Sequence, residues 1–512
     1  MDTSKKVLLL VLSGFGLSET QVGNAVRQAV PEFLQKLFQE RPFSRLEASG
    51  LNVGLPHGEP GNSEAGFLAI GAGRIIEQEQ TRINRSIEDR SFFENVSLTG
   101  FMQQIKAQGR ALHLSGLLSD GNLHSRTTHL YALLEMARNQ GLNNVFVHVF
   151  TDGRNSDSRC GLNVIKDLQE EMKKIGVGRI ATISGRYYAM DRDGRWDRLE
   201  KVYQAISSGM GNHASDPIDA IDSSYKVNVT DEFILPVVIT ESGSPIATIA
   251  NGDGLLAFNH RSDRIRQFIR MFTEPGFPHF KINEVSPRVA GLVPLAKKFP
   301  FPVGFEQVPV DGVLGQILAE SGIKQFRLAE TENYANITYF LNGRLESPFN
   351  DEERFLIPTS KVGTYDLKPE MSAFEIGDLL MEKIQTSRFP FVLANFANCD
   401  AVGHTGNLEA AVKAVVSVDS VLSKVIPVAY NAGYDCMICS DHGNVEKMID
   451  PDSGKPFPGH TSNLVPLSLL SRNPAELRPE GGLADIAPTI LDLFGLAAPA
   501  AMTGKSLLTS RK

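Results

Sequence analysis

A serine bracketed by glycines, Gly61-Asn62-Ser63-Glu64-Ala65-Gly66, precedes an apolar run of helical character, Phe67 to Ala72. At a helix N-terminus, free backbone N–H groups and the positive end of the helix dipole favour an anion such as phosphate. Ser63 by itself would serve as a helix cap. It becomes a nucleophile only when a base or a metal activates its hydroxyl. Candidate activators lie far downstream, in Asp400-Ala401-Val402-Gly403-His404, Asp441-His442-Gly443 and Gly459-His460-Thr461. Each cluster contains glycine, the first two follow apolar strand-like runs, and the donor types suit Mn or Zn. Nucleophile and ligands together point to a two-metal phosphoryl-transfer centre with Ser63 as acceptor.

A second set of polar clusters follows the apolar runs of the middle third. They are Asp120, His124 and Arg126; Asp152, Arg154 and Asn155; Arg186, Tyr187, Asp191 and Arg192; and Arg261, Asp263 and Arg264. A single exposed arginine is usually only solvated. Several of them in loops after successive strands suit bidentate contact with phosphate and carboxylate, so the expected ligand is a small anion.

These residues need a frame. The chain has 512 residues, too many for one ordinary core, and a net charge of −8, which argues against nucleic acid or an anionic membrane as the main partner. Four cysteines do not make a disulfide framework. Cys436 and Cys439 lie in one apolar run and, at period 2, face opposite sides of a sheet as buried thiols. Val7 to Leu12 is too short for a membrane span and lacks a cleavage site, so it reads as a buried first strand in a cytoplasmic protein.

Further strands are expected at Arg45 to Ser49, Ala111 to Leu117, Asn144 to Phe150, Arg179 to Ile183, Phe389 to Asn395 and Tyr434 to Cys439. Helices are expected at Thr128 to Gln140, Leu162 to Ile175, Arg195 to Ser208, Asp311 to Ser321, Met371 to Ile384, Asn407 to Ala432 and Ile486 to Phe494. Ser372 and Glu375 form a capping-box pattern, and Asp485 reads as an N-cap. The alternation describes parallel α/β sheets. The polar stretch Glu77 to Arg82 and the Pro-rich stretch Pro302 to Pro309 read as linkers. They make 79–308 an inserted domain within a first domain of 1–78 and 309–512.

The chain resembles the cofactor-independent phosphoglycerate mutases of the alkaline-phosphatase superfamily over nearly its whole length. The resemblance rests on Gly61 to Glu64, His124-Ser125, Asp152-Gly153-Arg154, Ser184 to Arg192, Arg261 to Arg264, Thr364 to Met371, Asp400 with Val402-Gly403-His404, Asp441 to Asn444 and Met502 to Leu507. It implies an alkaline-phosphatase-like domain with two Mn2+ ions and a phosphoserine intermediate, split by an inserted substrate-binding domain. Asp400, His404 and His460 would hold one ion. Ser63, Asp441 and His442, with the residue at position 13, would hold the other. His124, Arg154, Asn155, Arg186, Arg192, Arg261, Arg264 and Asn333 would hold phoshoglycerate, and the protein would act as a monomer.

Three positions depart from that pattern. The family carries Asp where this chain has Ser13, Asp where it has Asn155, and Lys where it has Asn333. Phe67 also stands where the family has His. Ser13 offers the serine-side ion a neutral oxygen, so that site is expected to be weak or empty. Asn155 cannot accept a proton as a carboxylate does, and Asn333 removes a cation. Three functions therefore stay open: a mutase, a pseudoenzyme keeping the fold, and a phosphatase of another small phosphoester.

Overall fold

The computed structural model describes residues 5–121, 123–283, 285–296, 300–307 and 309–511. Two compact units emerge, one of Met1–Gln78 with Val308–Lys512, the other of Glu79–Gln307.

The first unit is built on an eight-stranded sheet in the order Glu352–Ile357, Gln325–Glu330, Phe391–Phe396, Lys6–Leu12, Tyr434–Cys439, Val465–Leu470, Phe43–Glu47, Glu480–Gly482. The first five strands run parallel. Lys6–Leu12 lies at the centre, and its side chains alternate between two cores. Leu8, Leu10 and Leu12 enter one, and Val7, Leu9 and Val11 enter the other. Burial on both faces is why the strand reads as an unbroken apolar run. Cys436 and Cys439 divide between the same two cores as free thiols.

The inserted unit has a seven-stranded sheet in the order Arg288–Gly291, Gly254–Ala257, Leu112–Leu118, Val145–Thr151, Arg179–Gly185, Val237–Glu241, Asn212–Ala214. The first five strands are again parallel. The loops after four neighbouring strands thus leave one edge of the sheet together, where open parallel sheets place their ligands.

Several local expectations need correction. The sheets are mixed: Val465–Leu470 runs antiparallel to both neighbours, and Val237–Glu241 is antiparallel to Arg179–Gly185. The polar stretch after Glu77 is not a linker throughout, because Glu79–Glu88 is helical and buries Gln80, Thr81, Ile83 and Ser86. The second strand is Phe43–Glu47, and the helix expected from Asp311 spans only Leu314–Glu320. Ser372 does not cap Ala373–Gln385, since its hydroxyl donates to the Pro358 carbonyl. Asp485 does not cap Ile486–Phe494; its carboxylate accepts from the Gly482 and Lys505 amides. Of the stretch Pro302 to Pro309, Val308 lies outside the described residues, and the rest holds no helix and one bridge, from Val303 to Gly291.

Candidate active site

Ser63 opens the helix Ser63–Ala72, and the preceding Asn62 is the cap, its side chain accepting from the Ala65 amide at 2.9 Å. Asn62 thus takes the capping role and leaves the Ser63 hydroxyl for another partner. Gly66 lets this helix press against the Asp441 loop, since a Cβ there would stand 2.7 Å from the Asp441 carbonyl oxygen. The Ser63 Oγ lies 3.0 Å from the His442 Nε2. Burial disfavours the His442 imidazolium, but the Asp441 and Asp400 carboxylates outweigh it and raise the His442 pKa above its ordinary value.

Asp400 stands in the short helix Asn398–Gly403 that follows Phe391–Phe396. Its Oδ1 is 3.3 Å from the His404 Nε2 and 3.1 Å from the His460 Nε2, which are 3.0 Å apart. The other ring nitrogens are occupied. His404 Nδ1 reaches the Pro458 carbonyl at 2.8 Å, and His460 Nδ1 reaches the Gly61 carbonyl at 2.7 Å. A carbonyl only accepts, so each Nδ1 carries the proton. In the neutral rings both Nε2 lone pairs then converge with a carboxylate oxygen on one point, an arrangement that suits a divalent cation. Burial opposes the Asp400 charge, yet His442, His460 and His404 together hold its pKa well below the carboxylate range. Among the described residues, Asp400, His404 and His460 are the only group of three or more His, Cys, Asp or Glu whose ligating atoms all lie within 4.8 Å of one another.

The serine-side set is arranged differently. Gly14, at φ +80° and tight against the Asp400 backbone, turns the chain immediately after Ser13. The Ser13 hydroxyl donates to Asp441 Oδ2 at 3.1 Å and accepts from Asn395 Nδ2 at 2.8 Å and Asn333 Nδ2 at 3.0 Å. Asp441 Oδ1 accepts from the His442 amide at 3.1 Å. Ser13, Asp441, His442 and Asn395 are fully buried. These groups hydrogen-bond to one another around the Ser13 hydroxyl.

In the inserted unit, Asp152 gathers the loop after Val145–Thr151. Its carboxylate accepts from Ser119 Oγ at 2.5 Å, from the Asn155 amide at 3.0 Å and from Arg186 at 2.6 Å. The same guanidinium donates to Asn155 Oδ1 at 2.5 Å. Asp263 is approached by His124 at 3.6 Å, Arg192 at 3.6 Å and Arg261 at 3.7 Å, and Arg154 lies 3.7 Å from Glu232. Burial and then the positive charges of Arg192, Arg186 and Arg154 lower the Arg264 pKa. Five arginines and His124 therefore share one electropositive loop cluster. Asn333 lies in the first unit, against Ser13. Sequence reasoning assigned no role to Asn395, Asn336, Glu232 or Ser119. Asn395 had one signal, a polar residue inside an otherwise apolar strand.

Residues 83–296 match the family described as BPG-independent PGAM N-terminus (iPGM_N). The chain is 45% identical over 509 residues to the 2,3-bisphosphoglycerate-independent phosphoglycerate mutase of Moorella thermoacetica, covering 99% of this chain and 98% of that one. The chain belongs to this mutase family. The enzyme of the same name from Clostridium perfringens is 46% identical, with 99% of both chains covered. Among solved structures, Leishmania mexicana phosphoglycerate mutase, studied at low cobalt concentration, superposes with a TM-score of 0.79 at 28% identity over 98% of this chain and 97% of that one. The family is metal-dependent, and its members are isomerases.

Proposed function

We propose that this chain interconverts 2-phosphoglycerate and 3-phosphoglycerate through a phosphoserine at Ser63. The observation that carries the proposal is the 3.0 Å approach of the Ser63 Oγ to the His442 Nε2 at a helix N-terminus. As the Oγ–P bond forms, the P–O bond to the glycerate breaks. The proton leaving Oγ passes to His442 Nε2 and is the one the departing glycerate oxygen requires. Return of the phosphoryl group to the other hydroxyl completes the isomerisation with no net gain or loss of atoms.

Helix-terminal amides favour the phosphate oxygens at Ser63. In the inserted unit, His124, Arg154, Asn155, Arg186, Arg192, Arg261 and Arg264 bind the substrate's phosphate and carboxylate, the arginines by planar two-pronged contacts. Asp400, His404 and His460 would hold Mn2+, which when bound withdraws charge from phosphoryl oxygens as a Lewis acid. The substrate is a small molecule. The free, buried thiols Cys399, Cys436 and Cys439 suit a reducing cytoplasm. A monomeric state, expected from the sequence, is read directly by light scattering.

The pseudoenzyme and phosphatase alternatives are disfavoured by identity that extends over the whole length of the mutases. The test is mass spectrometry of the protein mixed with 3-phosphoglycerate, alongside an assay for 2-phosphoglycerate. Phosphate on Ser63 and isomerisation are expected together. Isomerisation in a Ser63→Ala variant, or release of inorganic phosphate without isomerisation, would sink the reading.

A further inference from the structure

We infer that this chain holds a single divalent cation, at Asp400, His404 and His460, because a closed hydrogen-bond network around the neutral Ser13 fills the serine-side position. The inference deepens the mutase reading and rests on it for the identity of the cation site.

A hydroxyl has one proton to give and two lone pairs. Ser13 uses all three: its proton goes to Asp441, and its lone pairs receive Asn333 and Asn395. No lone pair is left for a cation. The orientation of the amides is fixed by the main chain. Asn395 Nδ2 donates to the Val11 carbonyl at 3.2 Å, so that end of the side chain must be the nitrogen. Its oxygen then accepts from Asn333 Nδ2 at 2.8 Å, and Asn333 Oδ1 accepts from Asn336 Nδ2 at 3.1 Å. Rotating any one amide would set donor against donor or acceptor against acceptor, so the network has one self-consistent arrangement.

The remaining candidate ligands are also engaged. Ser63 pairs with His442, and Asp441 Oδ2 accepts the Ser13 proton. In the Asp400 set, by contrast, two imidazole lone pairs and a carboxylate oxygen face one another.

The experiment counts metal in full-length protein purified with Mn2+ and desalted, and records its electron paramagnetic resonance spectrum. One ion per chain is expected, with the hyperfine-split spectrum of an isolated Mn2+. Two ions, or the broadened spectrum of a spin-coupled pair, would overturn the inference, as would none. Ser13→Ala should leave the count at one, since Ser13 is no ligand, and a drop would overturn that assignment. Ser13→Asp should raise it to two, because a carboxylate can accept both amides and still face a cation. A count fixed at one in that variant, with thermal melting showing an intact fold, would overturn Ser13 as the closing residue. Two ions together with phosphorylated Ser63 would refute this inference and leave the mutase reading standing. One ion without phosphoserine would do the reverse.

Discussion

The Asp400 cluster and the Ser13 cluster are joined through the adjacent residues Asp441 and His442, and both are made of common polar side chains. They differ in where those side chains point. Around Asp400 the imidazoles spend their N–H groups on backbone carbonyls and turn their lone pairs toward one place. Around Ser13 every donor meets an acceptor within the protein. Polar groups that converge without satisfying each other can bind something, whereas groups that close on themselves contribute only to the fold. The inserted unit repeats the contrast, with crowded arginines near Arg264 and, in its core, a chain running from His113 through His148 to Thr182.

The largest effect that would sharpen the comparison is loss of the nucleophile. Ser63→Ala should lower turnover by on the order of 10⁴-fold or more and abolish the phosphoenzyme, as removal of a nucleophile does elsewhere. Turnover within a factor of ten of the parent would place the chemistry elsewhere. Next comes the open cluster. Asp400→Asn should release the cation and cost at least about 100-fold in turnover, with little change in melting temperature of the metal-free protein. Retention of metal would mean that Asp400 is not a ligand.

The closed cluster should behave in the opposite way. Ser13→Ala leaves two buried amide donors and Asp441 short of a partner, so it should destabilise the protein by about 1–3 kcal/mol in denaturant unfolding. His404→Ala, at a side chain 49% exposed, should change metal-free stability by no more than about 0.5 kcal/mol. Equal effects would erase the distinction between the clusters.

The smallest effect concerns pH. Burial pushes the His124 pKa down to about 4 and the His129 pKa down to about 3. Below about pH 6.5 the unfolded chain protonates these rings while the folded chain does not. The unfolded state therefore binds more protons, and stability should fall as pH drops from about 6.5 toward 4, with the full contribution present above 6.5. Replacing His129 with Asn should make the urea midpoint less sensitive to pH over that window. An unchanged slope would mean that another group governs it.

Much of the frame was legible because burial on both faces leaves unbroken apolar runs, as in Val7 to Leu12 and Tyr434 to Cys439. The direction of Val465–Leu470 was not, since an apolar strand reads alike whether its neighbours run with or against it. Ser372 and Asp485 carried the right residue types for caps, but distant loop groups took their hydrogen bonds. The candidate site residues could be named from motif and resemblance. The saturation of Ser13 could not, because it depends on Asn333 and Asn395, more than 300 residues away along the chain and brought close only by the sheet.

The central place of Lys6–Leu12 also bears on how the protein is made. This strand leaves the ribosome well before either of its neighbours, with Val11 and Asn395 separated by 384 residues. At ~5–20 residues per second, the wait is roughly 20–80 s. The inserted unit is contiguous in the chain and carries its own core, so it can fold during that interval. Throughout it, Val7 to Leu12 stays unpaired, guarded at one end by Lys5 and Lys6, charges of the kind that discourage association between nascent chains.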